Sequence, residues 1–578
     1  MPATSSSQPQ STPHAPLASL AAHWHACRGD IPPPLVGASV TLVDDPNPTK
    51  ARLYLFGGRL VTTRRMMNDL YELNMSTLRW KKLFASSEEE EEDVPDGQMA
   101  AGSSSADIAK PQPRYFHSCN LWEGKLIIFG GMGYVDGNES ELCVLNEVVA
   151  FDLKTYTWEF DIVSPSTSAE SLLPQARYAH LSSTTVDSLI IIGGQDMANR
   201  YVEEINVLDL KQKKWILRQP YEKQRGSYRS LAVEPLWKSI STLPTSYREW
   251  TPNGSLKPLP VYVYTNYNFT DVKREMEVVS LEPNDEQEES PDACSIQIDD
   301  QSQAMSGVSL PPGLRFPMGA ILGSHMLISG TYLANTSQTF AIWALHLPTM
   351  TWNRLDVGPL LSTGSWNRGV LWPLQNRLVV FGHRERDLVA DYNHRQTNWD
   401  HVLLIELEAW GITQPPVKQM SLASIQMGLQ KLASSTVGRG DFEIVCSDGM
   451  RLGCDRIILE KRWPCLATYA DPRITPRELH ISEPSPVMLA LLTFIYTRCV
   501  CTLLQQHPAI VAALLIVSKV YDMKDLEVWA KHTAHVVMSR DLAPRTVALY
   551  EAATMSGFEA LQIRSLRTVM SIAKWVQR

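Results

Sequence analysis

The 578-residue sequence predicts a multidomain protein: an all-β six-bladed propeller followed by an α/β module with trailing helices. Three observations carry this. A four-part unit recurs in tandem. One copy is Arg177-Tyr178-Ala179-His180-Leu181-Ser182, Leu189 to Gly194, Glu204 to Leu210 and Trp215. Another is Arg114-Tyr115-Phe116-His117-Ser118, Leu126 to Gly131, Asn146 to Leu153 and Trp158. The second observation is the spacing of strand ends: Gly57-Gly58, Gly130-Gly131, Gly193-Gly194, then the degenerate Asn266-Tyr267, Gly330-Thr331 and Gly382-His383. The third is a change of period after Pro415-Pro416, where alternating strands give way to helical spacing.

Each part of the unit has a physical reason. Short apolar strands at regular spacing build four-stranded blades. The doubled Gly lets the chain turn where a Cβ would clash. The Trp fills the wedge between neighbouring blades. Blade one reads Leu53 to Gly58, Asp69 to Leu73, Trp80. Blade four has strands at Val261 to Tyr264 and Glu275 to Leu281 but no following Trp. Blade five is Met326 to Gly330, Phe340 to Leu347, Trp352, and blade six is Arg377 to Gly382 and Val402 to Leu407. Blade six has no outer strand of its own. The segment around Trp24, residues 21 to 28, is expected to supply it, with Trp24 buried, and so to close the ring with both ends of the propeller segment.

Two acidic insertions interrupt the repeat. Residues 84 to 111 hold six consecutive acids, Glu88 to Asp93, and residues 282 to 312 hold eight. Both read as solvated loops. The domains expected are a disordered tail at 1–19, the propeller at 20–411, a linker and helix at 412–436, an α/β module at 437–535 and a helical extension at 536–578. Met420 to Leu432 reads as a helix with Leu422, Ile425, Leu429 and Leu432 on one face. Asp441 to Cys446 is a strand, Asp448-Gly449 a hairpin turn, and Met450 to Cys454 the return strand. Arg456 to Lys461 begins a helix, Leu479 to Ser482 is a short strand, Val487 to Tyr496 a helix, and 508 to 575 reads as helical throughout.

Composition narrows the function. The hydrophobic share is 44% and the charged share 20%, ordinary for globular chains, and the net charge of −9 argues against a nucleic-acid partner. The nine Cys show no repeated Cys-x-x-Cys pattern and read as reduced, so a cytoplasmic protein is expected. Residues 1 to 17 look like a disordered tail rather than a signal peptide, and Ile510 to Val517 is too short to span a bilayer. His117 and His180 fit satisfied interior residues better than metal ligands. His532 and His535 share a helix face without an evident third ligand, and no phosphate loop or nucleophile elbow is present. No catalytic, cofactor or metal residue is assigned, and no enzyme is expected. Arg114, Tyr115, Arg177 and Tyr178 are the candidates for a binding face, since Arg and Tyr favour binding hot spots, although their recurrence fits a repeat framework better.

The repeat resembles the kelch repeat. The block from Asp441, with its Asp-Gly turn, the Ile457-Ile458-Leu459 helix and Leu491 to Thr497, resembles a BTB/POZ domain. That resemblance implies a buried charged pair, Asp441 with Arg456, and a homodimer formed across the helix bearing Leu422, Ile425, Leu429 and Leu432. The sequence departs from the pattern at Asp455, at Trp463-Pro464 and in the short stretch Thr468 to Arg477. The order, propeller first, resembles a fungal family of kelch–BTB regulators linked to Ras activation and to negative control of sporulation. It implies a non-enzymatic scaffold with protein partners, among them a component of a small GTPase pathway. A second reading is a substrate receptor of a cullin ubiquitin ligase, from the trailing helices at 541 to 575. A copper oxidase of galactose-oxidase type is a remote third, lacking a Cys opposite a Tyr and His set.

Overall fold

The computed structural model describes residues 20–576, apart from 85–108, 136–137, 164–169, 236–258, 268–270, 284–293, 335–336, 417–419, 464, 467–477 and 541–543. The expected disordered tail, the acid run from Glu88, and the departures at Pro464 and Thr468 to Arg477 lie outside the described residues.

Residues 22 to 406 form six antiparallel blades. In blades one to five the inner strands are Ser39–Val43, Ser118–Trp122, Leu181–Thr185, Ser230–Val233 and Arg315–Leu322, and each is followed in order by its three partners. Blade six pairs Ser365–Trp372, Arg377–His383 and His401–Glu406, and its fourth strand is Ala22–Ala26 from the other end of the propeller segment. The register runs from Ala22 opposite Ile405 to Ala26 opposite His401. The chain then continues as Arg28–Gly29, which pairs in parallel with Arg79–Trp80 at the outer edge of blade one. One short segment therefore stitches the last blade to the first.

The Trp at each outer strand packs on an aromatic of the preceding blade. Trp158 lies 5.0 Å from Phe56, Trp215 5.7 Å from Phe129, Trp352 5.6 Å from Tyr264 and Trp80 6.1 Å from Phe381, centroid to centroid. Blade four has no such Trp and uses Cys294 and Ile296 instead, packed with blade three. Trp24 corrects its expectation: it is 38% exposed, with the Arg384 guanidinium 4.3 Å over its ring. On this strand only Ala22 is buried, so closure rests on backbone pairing rather than Trp burial.

Two further expectations change. The insertion at 282 to 312 is not a loop throughout, because Cys294–Asp300 is the outer strand of blade four. Its Cys-Ser-Ile-Gln-Ile alternation is a half-buried strand pattern inside acidic sequence. The stretch from 508 is several helices: Pro508–Val520, Lys524–Arg540, Pro544–Met555 and Glu559–Val576. Asp522 and Gly557 break it with positive φ.

The C-terminal unit is an α/β layer. Phe442–Val445 is central, antiparallel to Arg451–Cys454 and parallel to Glu478–His480. A single core runs from Leu432 and Phe442 through Leu491 and Leu515 to Leu549 and Leu561. The segments expected as linker helix, module and extension thus share one interior.

The propeller is joined to this unit by a buried polar contact. The turn Leu407–Trp410 that leaves blade six packs on Glu559–Val576. His535 donates from Nε2 to Glu408 at 3.0 Å, and Arg564 donates to its Nδ1 at 2.5 Å and to Ser539 at 2.9 Å. Gly411, at φ 77°, holds a left-handed conformation that disfavours a side chain, and the Arg564 guanidinium lies against it.

Candidate interaction face

The Arg-Tyr-x-His segments enter the inner strands at one end of the propeller. The doubled glycines end the second strands at the same place. Gly58, Gly131 and Gly194 donate to the carbonyls of Arg114, Arg177 and Arg225 at 2.8, 3.0 and 2.9 Å. All six glycines have φ between 62° and 99°, and a Cβ on Gly57 would lie 2.8 Å from the Arg114 carbonyl. The residue two after each of these arginines links blade to blade around the axis. Phe116 donates to Gly37 at 2.8 Å, Ala179 to Phe116 at 2.8 Å, and Ser227 to Ala179 at 2.9 Å.

The arginines that are candidates for a binding face, and fit a repeat framework better, are interior. Arg114 and Arg177 side chains are 0% exposed. Arg114 pairs with Glu147 and donates to the carbonyls of Gln112 and Gly130 at 3.1 and 3.3 Å. Arg177 repeats this with Glu204, Gln175 and Gly193. Blade four supplies the equivalent, Arg225, bonded to Glu275 and Glu277 at 2.6 and 2.7 Å. The sequence hides Arg225 because Gly226 follows it in place of Tyr. Tyr115 and Tyr178 are buried too, bonded to Met132 Sδ at 3.0 Å and Asn199 at 2.5 Å. These four residues hold the repeat together and do not project to a partner.

His117 and His180 belong to the same frame. Each Nε2 lies 2.8 Å from a Ser hydroxyl of the preceding blade, Ser39 and Ser118, and each ring meets Phe56 or Phe129 edge-on. Burial, with Arg177 nearby, pushes His180 down to about 3, and burial lowers His117 well below its ordinary value. Both are neutral at physiological pH. No group of three His, Cys, Asp or Glu fit to hold a metal occurs among the described residues.

What the end of the propeller does present is aromatic and cationic. Phe116 touches Tyr115 at 5.1 Å, Tyr178 at 6.4 Å and Tyr228 at 5.5 Å; Tyr228 touches Phe316 at 5.4 Å, and Phe316 reaches Tyr392 at 6.1 Å. Arg59, Arg395 and Arg315 lie over Tyr115, Tyr228 and Tyr392 at 5.0, 5.2 and 5.4 Å. Phe116, Tyr228, Phe316 and Tyr392 are half-buried, and Arg395 is exposed.

In the C-terminal unit Asp441 and Arg456 meet differently from the expected buried pair. Asp441 is exposed and accepts from the Arg456 backbone N–H at 2.9 Å, capping the helix Arg456–Arg462. The Arg456 side chain reaches Glu460 at 2.8 Å and lies over Phe442. The helix Leu422–Ser434 spreads its four apolar positions: Leu432 is in the core, Ile425 and Leu429 are half-buried, and Leu422 is exposed. Gly428 sets the contact, since a Cβ there would lie 2.7 Å from the Tyr496 carbonyl. Met427 on this helix and Ile457 on the next, 58% and 63% exposed, border an open groove with Lys431, Asp441 and Asp455.

Residues 16–232 match the model of the KLHDC2/KLHL20/DRC7 Kelch-repeats domain, so the propeller is a kelch propeller. The protein named Protein ral2, from Schizosaccharomyces pombe, is 30% identical across 94% of this chain and 93% of its own length. The chain belongs to the Ral2 family. The family's likeness covers both the kelch propeller and the C-terminal unit. Negative regulator of sporulation MDS3 from Candida albicans is 20% identical over 47% of this chain and 22% of its own. Kelch domain-containing protein 1 from mouse is 26% identical over 33% of this chain and 43% of its own.

Proposed function

We propose that this chain is a non-enzymatic scaffold. The kelch propeller docks a protein partner, and the C-terminal unit acts as a BTB-type module that brings two chains together. The observation that carries the reading is the groove bordered by Met427 and Ile457, two exposed apolar residues on neighbouring helices of the C-terminal unit. A second copy would cover them across a two-fold axis. Two propellers held in one particle raise the effective concentration of whatever they bind. The likeness to Ral2, together with the sporulation role in the name of MDS3, supports a place in Ras-type signalling or in control of development.

Sedimentation of the full chain tests the dimer. A dimer at micromolar concentration is expected, and Met427→Glu with Ile457→Glu should give a folded monomer. A wild-type monomer removes the BTB-type reading. Affinity capture with mass spectrometry tests the pathway: recovery of a small GTPase or its regulators is expected, and recovery of a cullin instead favours the ligase-receptor reading.

A further inference from the structure

Arginine is used in two ways in this propeller. Arg114, Arg177 and Arg225 are each matched by glutamates. Arg59, Arg368 and Arg395 have no carboxylate within salt-bridge distance among the described residues, although the chain as a whole carries −9. Other acids at this end are already engaged, Asp196 by Arg200 and Asp391 by Arg386. Arg395 crosses from blade six to blade four, where it donates to the Tyr228 hydroxyl at 3.4 Å and lies over its ring.

Arg368 is the most telling. It stands three residues into the inner strand of blade six, and its charge bears on His117 across the axis end. Its Nε is buried without an acceptor while the residue as a whole stays half-exposed. Burial alone lowers its guanidinium to about 10. A cation held there without a counter-charge costs stability, which folding alone does not require.

We infer that this end of the propeller is a docking face for an acidic segment of a partner protein, its carboxylates meeting Arg59 and Arg395 and, deeper in the mouth, Arg368. The inference rests on the reading of the propeller as the docking part and names the chemistry of what docks. Guanidinium forks match carboxylates, and the half-buried rings beneath give apolar contact to the segment's stems. A nucleic acid fits less well. The chain as a whole carries −9, and Tyr115, Tyr228 and Tyr392 each already have one face covered by Arg59, Arg395 and Arg315, at 5.0, 5.2 and 5.4 Å.

Fluorescein-labelled hexaglutamate, titrated into the full chain and followed by anisotropy, is expected to bind and to be released by salt. Arg59→Glu with Arg395→Glu should weaken binding by roughly tenfold or more. Lys154→Glu with Lys213→Glu makes the same charge change on exposed residues of the opposite end and should leave binding unchanged. Arg368→Met, which keeps the apolar stem, should weaken binding by roughly tenfold while the melting temperature holds or rises. Absence of binding, or equal loss from the two double variants, overturns the proposal. So does equal competition by an oligothymidylate of matching charge. If the Arg59→Glu, Arg395→Glu chain still captures the same proteins as wild type, the scaffold reading stands and this face is not where they bind.

Discussion

Single residues in this propeller are strained toward one protonation state. Glu204 accepts from Arg177 and from Arg218, and its carboxyl is held low by those cations although burial works against it. Glu204→Ala leaves Arg177 buried and unmatched, so urea denaturation should report a loss of about 3–5 kcal/mol. His180 is buried neutral, with its folded value near 3, while an unfolded histidine titrates near 6.5. The unfolded chain therefore takes up a proton that the folded chain refuses. Stability from this site is fully present above about pH 6.5 and is lost as pH falls toward 3, by about 2 kcal/mol at pH 5. His180→Asn should flatten that part of the urea midpoint against pH profile; an unchanged slope would mean that the ring is solvated. The Arg-Tyr-x-His pattern was easy to see in sequence, but its meaning was not. Periodicity marks Arg114 and Arg177 as recurrent, whereas burial depends on Glu147 and Glu204, which lie 33 and 27 residues further on. Arg368 stands near the position where other blades place a histidine, and no local signal distinguishes it.

At the scale of the element, strands were legible wherever backbone geometry demands a particular residue. The doubled glycines mark left-handed turns in blades one to three, and the Trp marks the wedge it fills in blades one, two, three and five, so those blades could be read directly. Cys294–Asp300 was hidden by its acidic setting and by the lack of a Trp. The closing strand was legible from what blade six lacked, though its Trp24 points to solvent. Removing residues 1 to 17 should leave the melting temperature unchanged. Removing 1 to 30 takes away the pairing of Ala22–Ala26 and of Arg28–Gly29, and Ala22 and Cys27 from the core, at a cost of several kcal/mol. Equal melting curves for the two truncations would refute closure by this strand. Gly131→Ala should cost about 2–3 kcal/mol, because its φ of 99° is unfavourable for a side chain and the new Cβ would meet the His117 Cβ at 2.8 Å.

At the scale of the molecule, the contact between propeller and C-terminal unit joins residues 127 apart and more, which is why no sequence pattern announced it. Glu408 is the hinge of charge there. Burial alone would raise its carboxyl, but the His535 hydrogen bond and the cations Lys531 and Arg564 hold it low. Glu408→Ala should leave the buried His535 N–H without its acceptor and remove the negative charge near Arg564, at a cost of about 1–3 kcal/mol of coupling. Calorimetry of the wild type should show one transition, and the variant should show the two units melting apart; a single transition in both would mean that the contact couples nothing. The closing strand has a last consequence, in time rather than in space. Ala22 pairs with Ile405, so about 380 residues must leave the ribosome before the first strand meets its partner. At about 5–20 residues per second, that edge waits roughly 20–75 s. Five blades can form meanwhile around an open seam, so the nascent chain should be most open to chaperones and proteases until His401–Glu406 emerges, and resistant within moments afterwards.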